Sequence, residues 1–154
     1  MIQRIQSIYI LVAAVLLVLL YCSPFAEVDC GNLCVGITAF HLSPSVEGLS
    51  KAAMVPLALV VSLTIVLCLI ALFTFKNRQR QMQLTKICIY MQIVVFASMA
   101  AYVVAVSRAI GINKWSINMD LTTILPVINI VLLVMAYRGI KKDDDLVKSA
   151  DRLR

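Results

Sequence analysis

Hydrophobic residues in this chain do not alternate with polar ones; they gather in four long blocks. Three of these, Ile5–Tyr21, Met54–Phe75 and Ile87–Val106, contain no Asp, Glu, Lys, Arg or His, and a fourth runs from Leu121 to Tyr137. At 1.5 Å per residue, helices of about 17 to 22 residues cover roughly 26 to 33 Å, which matches a hydrocarbon layer about 30 Å thick. Each block is therefore predicted to be a transmembrane helix, and residues 1–154 to form a single four-span membrane domain. The fourth block is the shortest, so it is expected to borrow Asn118 and Met119 or to let Arg138 snorkel to the headgroups. The predicted fold class is all-α, with a short outer-loop cap and a cytoplasmic helical tail.

Composition removes the soluble alternative. Hydrophobic residues make up 62% of the chain and its mean hydropathy is +0.95, well above the roughly 45 to 50% apolar content of water-soluble domains. The net charge of +6 does not point to nucleic acid, because the basic residues flank the apolar blocks instead of forming one patch. Their distribution reads as topology. One face carries Arg4, Lys76, Arg78, Arg80, Lys86, Arg138, Lys141, Lys142, Lys148, Arg152 and Arg154, and the other only Lys51, Arg108 and Lys114. Basic loops stay cytoplasmic, so both termini are predicted inside. Tyr21, Tyr102 and Trp115 near the outer interface and Tyr9, Phe75, Tyr90 and Tyr137 near the inner one support the same boundaries. Arg4 ahead of an apolar stretch resembles a secretory signal, but the residues around Tyr21, Cys22 and Ser23 offer no small-x-small cleavage site. The first block is therefore expected to remain as a span.

The longest extramembrane stretch, Ser23 to Ala53, lies outside. Ala26–Cys30 and Leu33–Phe40 read as two short strands around Gly31 and Asn32, a hairpin cap. Cys30 and Cys34 would flank the turn, either joined by a disulfide if their Cβ atoms converge or left as two free thiols. A metal site built from Cys30, Cys34 and His41 with Glu27 or Asp29 lacks the double-pair spacing of zinc centres, and no metal or cofactor is expected. Cys68 and Cys88 fall inside or at the edge of spans and read as small hydrophobes.

Within the spans, Gln92 and Asn129 are the strongest polar groups, and each needs a partner in hydrocarbon. A helix-to-helix hydrogen bond is favoured over substrate binding. Pro126 is predicted to bend the fourth span by deleting one hydrogen bond and displacing the carbonyl of Thr122. Ala97, Ala101, Ala105 and Ala109 recur every four residues along the third span, with Ala58 and Ser62 at the same spacing in the second. Such stripes bring helices close together, and packing within the bundle is favoured over contact with another protein. The tail from Ile140 to Arg154 is predicted helical, with Asp144 and Lys148 spaced to pair across one turn.

Met1-Ile2-Gln3-Arg4-Ile5-Gln6-Ser7-Ile8-Tyr9, Lys148-Ser149-Ala150-Asp151-Arg152-Leu153-Arg154, the basic Asn77-Arg78-Gln79-Arg80-Gln81 turn and the segment from Pro126 to Asn129 together resemble domain of unknown function 4293, a bacterial family seen mainly in Bacteroidota. The resemblance covers the whole chain. It implies a four-helix protein of the bacterial inner membrane and brings no activity with it. Paired loop cysteines are not a defining mark of that family. The functional reading is a non-enzymatic membrane protein, a subunit or stabilising partner of a larger assembly, whose partners are the bilayer and other membrane proteins and not nucleic acid. The alternatives are a thiol-disulfide oxidoreductase using Cys30 and Cys34, or a small-solute or lipid carrier with a cavity near Gln92, Pro126 and Asn129. The first lacks a second outer cysteine pair, since the loop from Ser107 to Asp120 contains none.

Overall fold

Chain segments surrounded by hydrocarbon must satisfy their backbone polar groups internally, which favours helices, and the four apolar blocks are helical in the computed structural model. It describes residues 3–29, 34–39, 42–43, 55–75, 77–109 and 117–152. Helix α1 spans Gln3–Cys22, α2 Val55–Phe73, α3 Arg78–Ala109 and α4 Leu125–Arg152. Neighbours in sequence are neighbours in space, and α4 closes the ring against α1. Among the described residues, three helical stretches, Val55–Phe73, Arg78–Arg108 and Leu121–Ser149, are long and apolar enough to cross a membrane, and a further apolar helical stretch covers Gln6–Cys22 of α1. Only 22 to 28% of the most apolar window of each long stretch is buried inside the protein, so most of its hydrophobic surface needs a non-aqueous solvent.

Burial follows one rule in every helix. Among the described residues the buried positions are 6, 10, 13, 17 and 20 in α1, with 14 beside them; 57, 61, 64, 68 and 71 in α2; 81, 85, 88, 92, 95, 99 and 106 in α3, with 107 beside them; and 126, 129, 133, 136, 140 and 144 in α4. This spacing of three and four residues is that of coiled-coil seams, which suits helices packed side by side at a shallow angle. The seam carries small and polar residues, including Ala13, Thr64, Cys68, Ala71, Thr85, Cys88 and Ala136, whereas Leu59, Leu63, Ile93 and Val131 point outward. The outward face is thus as apolar as the seam or more so, the inverse of the pattern in a soluble bundle.

Several boundaries depart from expectation. Helix α3 begins at Arg78, not near Ile87. The basic Asn77–Gln81 segment is its first turn, capped by the Asn77 Oδ1, which accepts from the Arg80 N–H at 3.3 Å. Positive side chains oppose the dipole at a helix N-terminus, so their position there owes nothing to helix stability. Asn118 and Met119, expected to extend the fourth span, lie instead in strand β4, Ile117–Met119. Pro126 does not bend the middle of α4. It is that helix's second residue, just after a 3-10 turn over Leu121–Ile124, where a missing N–H costs little. The tail is helical as expected but continues α4 without a break to Arg152.

The cap at the end of the bundle that the sequence assigns to the outside, hence termed its outer end and the opposite one its inner end, is more than a hairpin. Strands β1 (Ala26–Asp29), β2 (Cys34–Ile37), β3 (Leu42–Ser43) and β4 form one antiparallel sheet in the order β3-β2-β1-β4. The loop between α3 and α4 therefore contributes a strand beside β1, which the sequence reading missed. In the β1–β2 register Cys34 faces Asp29. Cys30 and His41 lie outside the described residues, and with them the disulfide question. Phe25, Ala26 and Ile37 are buried together with Leu20, Leu57 and Val106, so the sheet closes the outer end of the core. The Phe25 carbonyl accepts a hydrogen bond from the Thr123 hydroxyl, which ties the sheet to the entry of α4.

Candidate functional site

A polar layer crosses the middle of the bundle. Gln92 on α3 and Asn129 on α4 are both fully buried. The inner ends of these helices are joined by the Arg78 guanidinium, which donates to the Asp143 carbonyl at 3.1 Å. From that tie each amide stands fourteen residues toward the outer side, about 21 Å along its helix, so the two lie at one level within about a turn. On α2, Cys68 lies beside Cys88 of α3 in the core. Four residues outward from that contact come Thr64 and Gln92, which sets Thr64 at the same level. Three helices thus contribute a polar side chain to one layer.

The hydroxyls and amides in the spans fare differently. Thr64 donates to the Val60 carbonyl at 2.7 Å, Thr85 to Gln81 at 2.8 Å, Ser98 to Val95 at 2.8 Å and Ser107 to Val103 at 2.6 Å. Each hydroxyl is satisfied by its own helix, as Ser and Thr commonly are in membrane segments. An amide needs several partners in a geometry its own turn does not supply. Among the described residues, neither the nitrogen nor the oxygen of the Gln92 and Asn129 side chains has a hydrogen-bond partner. The expected helix-to-helix bonds are absent, leaving four buried polar atoms at one level. A buried group left unpaired costs about 1–3 kcal/mol, so this layer carries a cost that the apolar packing around it must offset. It is able to accept from and donate to a small hydrogen-bonding guest. Pro126, also buried, lies one helical turn outward from Asn129.

The alanine stripe is placed opposite to expectation. Ala97, Ala101 and Ala105 are exposed on the outside of the bundle and do not pack against the other three helices. The α3 seam is formed instead by Gln81, Thr85, Cys88, Gln92, Val95 and Met99. Their spacing of four, three, four, three and four was the available signal: Gln81, Thr85, Cys88 and Gln92 recur at heptad positions that Val95 and Met99 continue. Cys68 and Cys88 are free, fully buried thiols, consistent with small core residues but in mutual contact.

A latch at the inner end was not anticipated. The Gln6 amide donates to the Asp143 carboxylate at 2.7 Å, and Arg78 holds the carbonyl of the same residue, so α1, α3 and α4 meet at Asp143. Gly139 makes room for it: a Cβ there would lie 3.0 Å from the Gln6 Cγ. One residue further on, Asp144 pairs with Lys148 at 2.6 Å, as the spacing suggested. The Lys86 ammonium sits 5.3 Å from the centre of the Tyr137 ring. Among the described residues, no group of three or more His, Cys, Asp or Glu gathers in a way that could hold a metal ion.

No curated protein and no solved structure matches this chain. A family model does match, over residues 2–153, which covers all four helices and the outer sheet. The segments that suggested the resemblance fall inside the match except for Met1 and Arg154, and the chain belongs to the family described as Domain of unknown function (DUF4293).

Proposed function

We propose that the protein is a non-enzymatic, four-span component of the bacterial inner membrane that serves as a subunit or stabilising partner of a larger assembly, with both termini in the cytoplasm. The observation that carries this reading is the direction of the Ala97, Ala101 and Ala105 stripe. Small residues let a second helix approach closely in lipid, where no hydrophobic force draws helices together. In this bundle the stripe faces away from all three neighbouring helices, so its packing surface is left for a helix from another protein. The fourth crossing is argued from α1, which lies between α2 and α4 and buries residues at the same three-and-four spacing as the longer helices. The orientation is argued from the division of Lys and Arg between the two faces.

Purification from native membranes in a mild detergent, followed by mass determination, tests the proposal. A particle heavier than the 17.0 kDa chain, containing other membrane proteins, is expected. The Ala97→Leu/Ala101→Leu double variant should release those partners while leaving the bundle folded. A lone monomer in every detergent and lipid condition would overturn the reading, and unchanged partners in the double variant would remove the stripe from it.

A further inference from the structure

The outward face of α4 changes character at one point. Val127, Val131 and Met135 are exposed and apolar; the next residues on that face are Arg138, Lys141, Lys142 and Asp145, all exposed. From Leu121 to Arg138 is about 26 Å of helix, close to the thickness of the hydrocarbon layer. Arg138, Lys141, Lys142, Asp145 and Leu146 line an open groove of about 360 Å³. Among the described residues no ion pair engages Arg138, Lys141 or Lys142. The neighbouring acids are occupied elsewhere, Asp143 by Gln6 and Asp144 by Lys148. The groove therefore holds three cations against one carboxylate, directly below an apolar track.

We propose that this groove binds the headgroup of an anionic glycerophospholipid such as phosphatidylglycerol. The phosphate lies among Arg138, Lys141 and Lys142, an acyl chain follows Met135 and Val131, and a headgroup hydroxyl donates to Asp145. Three features select this ligand over a soluble anion: the cations stand where the helix leaves the hydrocarbon, the apolar track continues the same face, and Leu146 gives the groove an apolar side. Basic sites at the cytoplasmic ends of spanning helices suit such headgroups, and the groups on Lys and Arg reach them by snorkelling. The Lys86 and Tyr137 contact beside the groove marks the same interfacial level. The inference rests on the reading of α4 as a membrane span.

Native mass spectrometry of the detergent-solubilised full chain, titrated separately with phosphatidylglycerol, phosphatidylcholine and inorganic phosphate, provides the test. Phosphatidylglycerol should bind at least about tenfold more tightly than phosphatidylcholine, and inorganic phosphate should not compete. Arg138→Gln/Lys142→Gln should weaken phosphatidylglycerol binding by on the order of thirtyfold, from two lost charges. The control Arg80→Gln/Arg108→Gln removes the same charge elsewhere and should leave it unchanged. Equal binding of the two lipids, effective competition by phosphate, or an equal loss in the control would each overturn the proposal. An Arg138→Cys variant, with Cys22, Cys30 and Cys34 changed to Ser, separates this failure from failure of the span. Labelling by a membrane-impermeant maleimide from the cytoplasmic side keeps the span and isolates the lipid site, whereas no labelling from that side removes both.

Discussion

Replacing Gln92 by Leu tests whether the middle of the bundle is held together by its polar residues or in spite of them. Both polar atoms of this side chain are buried and unpaired, a state that costs about 1–3 kcal/mol in a folded core. The lower end applies here, because an inserted but unfolded chain also leaves amides in lipid, and measured interhelical polar bonds average about 0.6 kcal/mol. Leu is close to Gln in size and in helix propensity, so little packing is lost. Gln92→Leu should therefore raise the free energy of unfolding by about 1 kcal/mol. Asn129→Leu relieves the same desolvation but adds bulk at a position with no exposure. Overpacking costs about 1–3 kcal/mol, which leaves that variant within about 1 kcal/mol of the parent. Gln92→Ala serves as a control: it also removes contacts and opens a void, and should destabilise by about 2 kcal/mol. Reversible unfolding in mixed lipid and detergent micelles gives all three values. The reasoning fails if Gln92→Leu destabilises by more than about 1 kcal/mol and the double variant with Asn129→Leu recovers the loss. That coupling would mean the amides are joined by a mutual bond or a shared guest.

Gly139→Ala should destabilise by about 1 kcal/mol despite the usual gain of about 0.5–1 kcal/mol from replacing a helical Gly, because the new Cβ meets the Gln6 Cγ at 3.0 Å and disturbs the bond to Asp143. The penalty should disappear in a Gln6→Ala background when both are measured by unfolding, and an equal penalty there would show that the latch is not its cause. A cytoplasmic reporter fused after Arg154 should be active and a periplasmic one silent, as the division of basic residues requires; activity of the periplasmic reporter would invert the orientation.

Much of the fold was legible because hydrocarbon tolerates few arrangements of a chain. A run such as Val55–Phe73 without a charged residue has only the helix available, and the blocks located all four helices to within a few residues except where a helix left the apolar zone. There the rule weakens. Arg78 to Lys86 reads as a loop when charge is taken as the boundary, but Asn77 caps a helix that starts before the hydrocarbon does. The strand at Ile117–Met119 was illegible for another reason: a three-residue strand has no pattern of its own, and it exists because β1 offers it an edge.

The facing of each helix was the harder inference. Residues inside and outside are almost equally apolar, so hydrophobicity cannot orient the helices. Residue size and polarity can, and they gave conflicting signals on α3. The alanines at Ala97, Ala101 and Ala105 suggested one face, and the polar series Gln81, Thr85, Cys88, Gln92 another. The polar series prevailed in the inner half of α3, where Gln81, Thr85, Cys88 and Gln92 are all buried. The larger Val95, Met99 and Val106 then continue that seam, and the alanines rotate outward as its geometric consequence. An exposed stripe of alanines is thus the counterpart of a buried row of polar groups on the same helix.

The polar layer itself is not required to set the register of the bundle. Gln6, Arg78 and Asp143 join three helices at the inner end, and Thr123 pins the outer sheet through Phe25. Two ties at opposite ends already limit how far α1, α3 and α4 can slide, because a shift of one seam repeat moves a residue by about 10 Å, beyond the reach of either contact. With the register secured elsewhere, Gln92 and Asn129 add cost and no alignment. Their burial is then the feature of this core least explained by packing, and a stabilised but partner-deficient Gln92→Leu protein would locate the function in that layer.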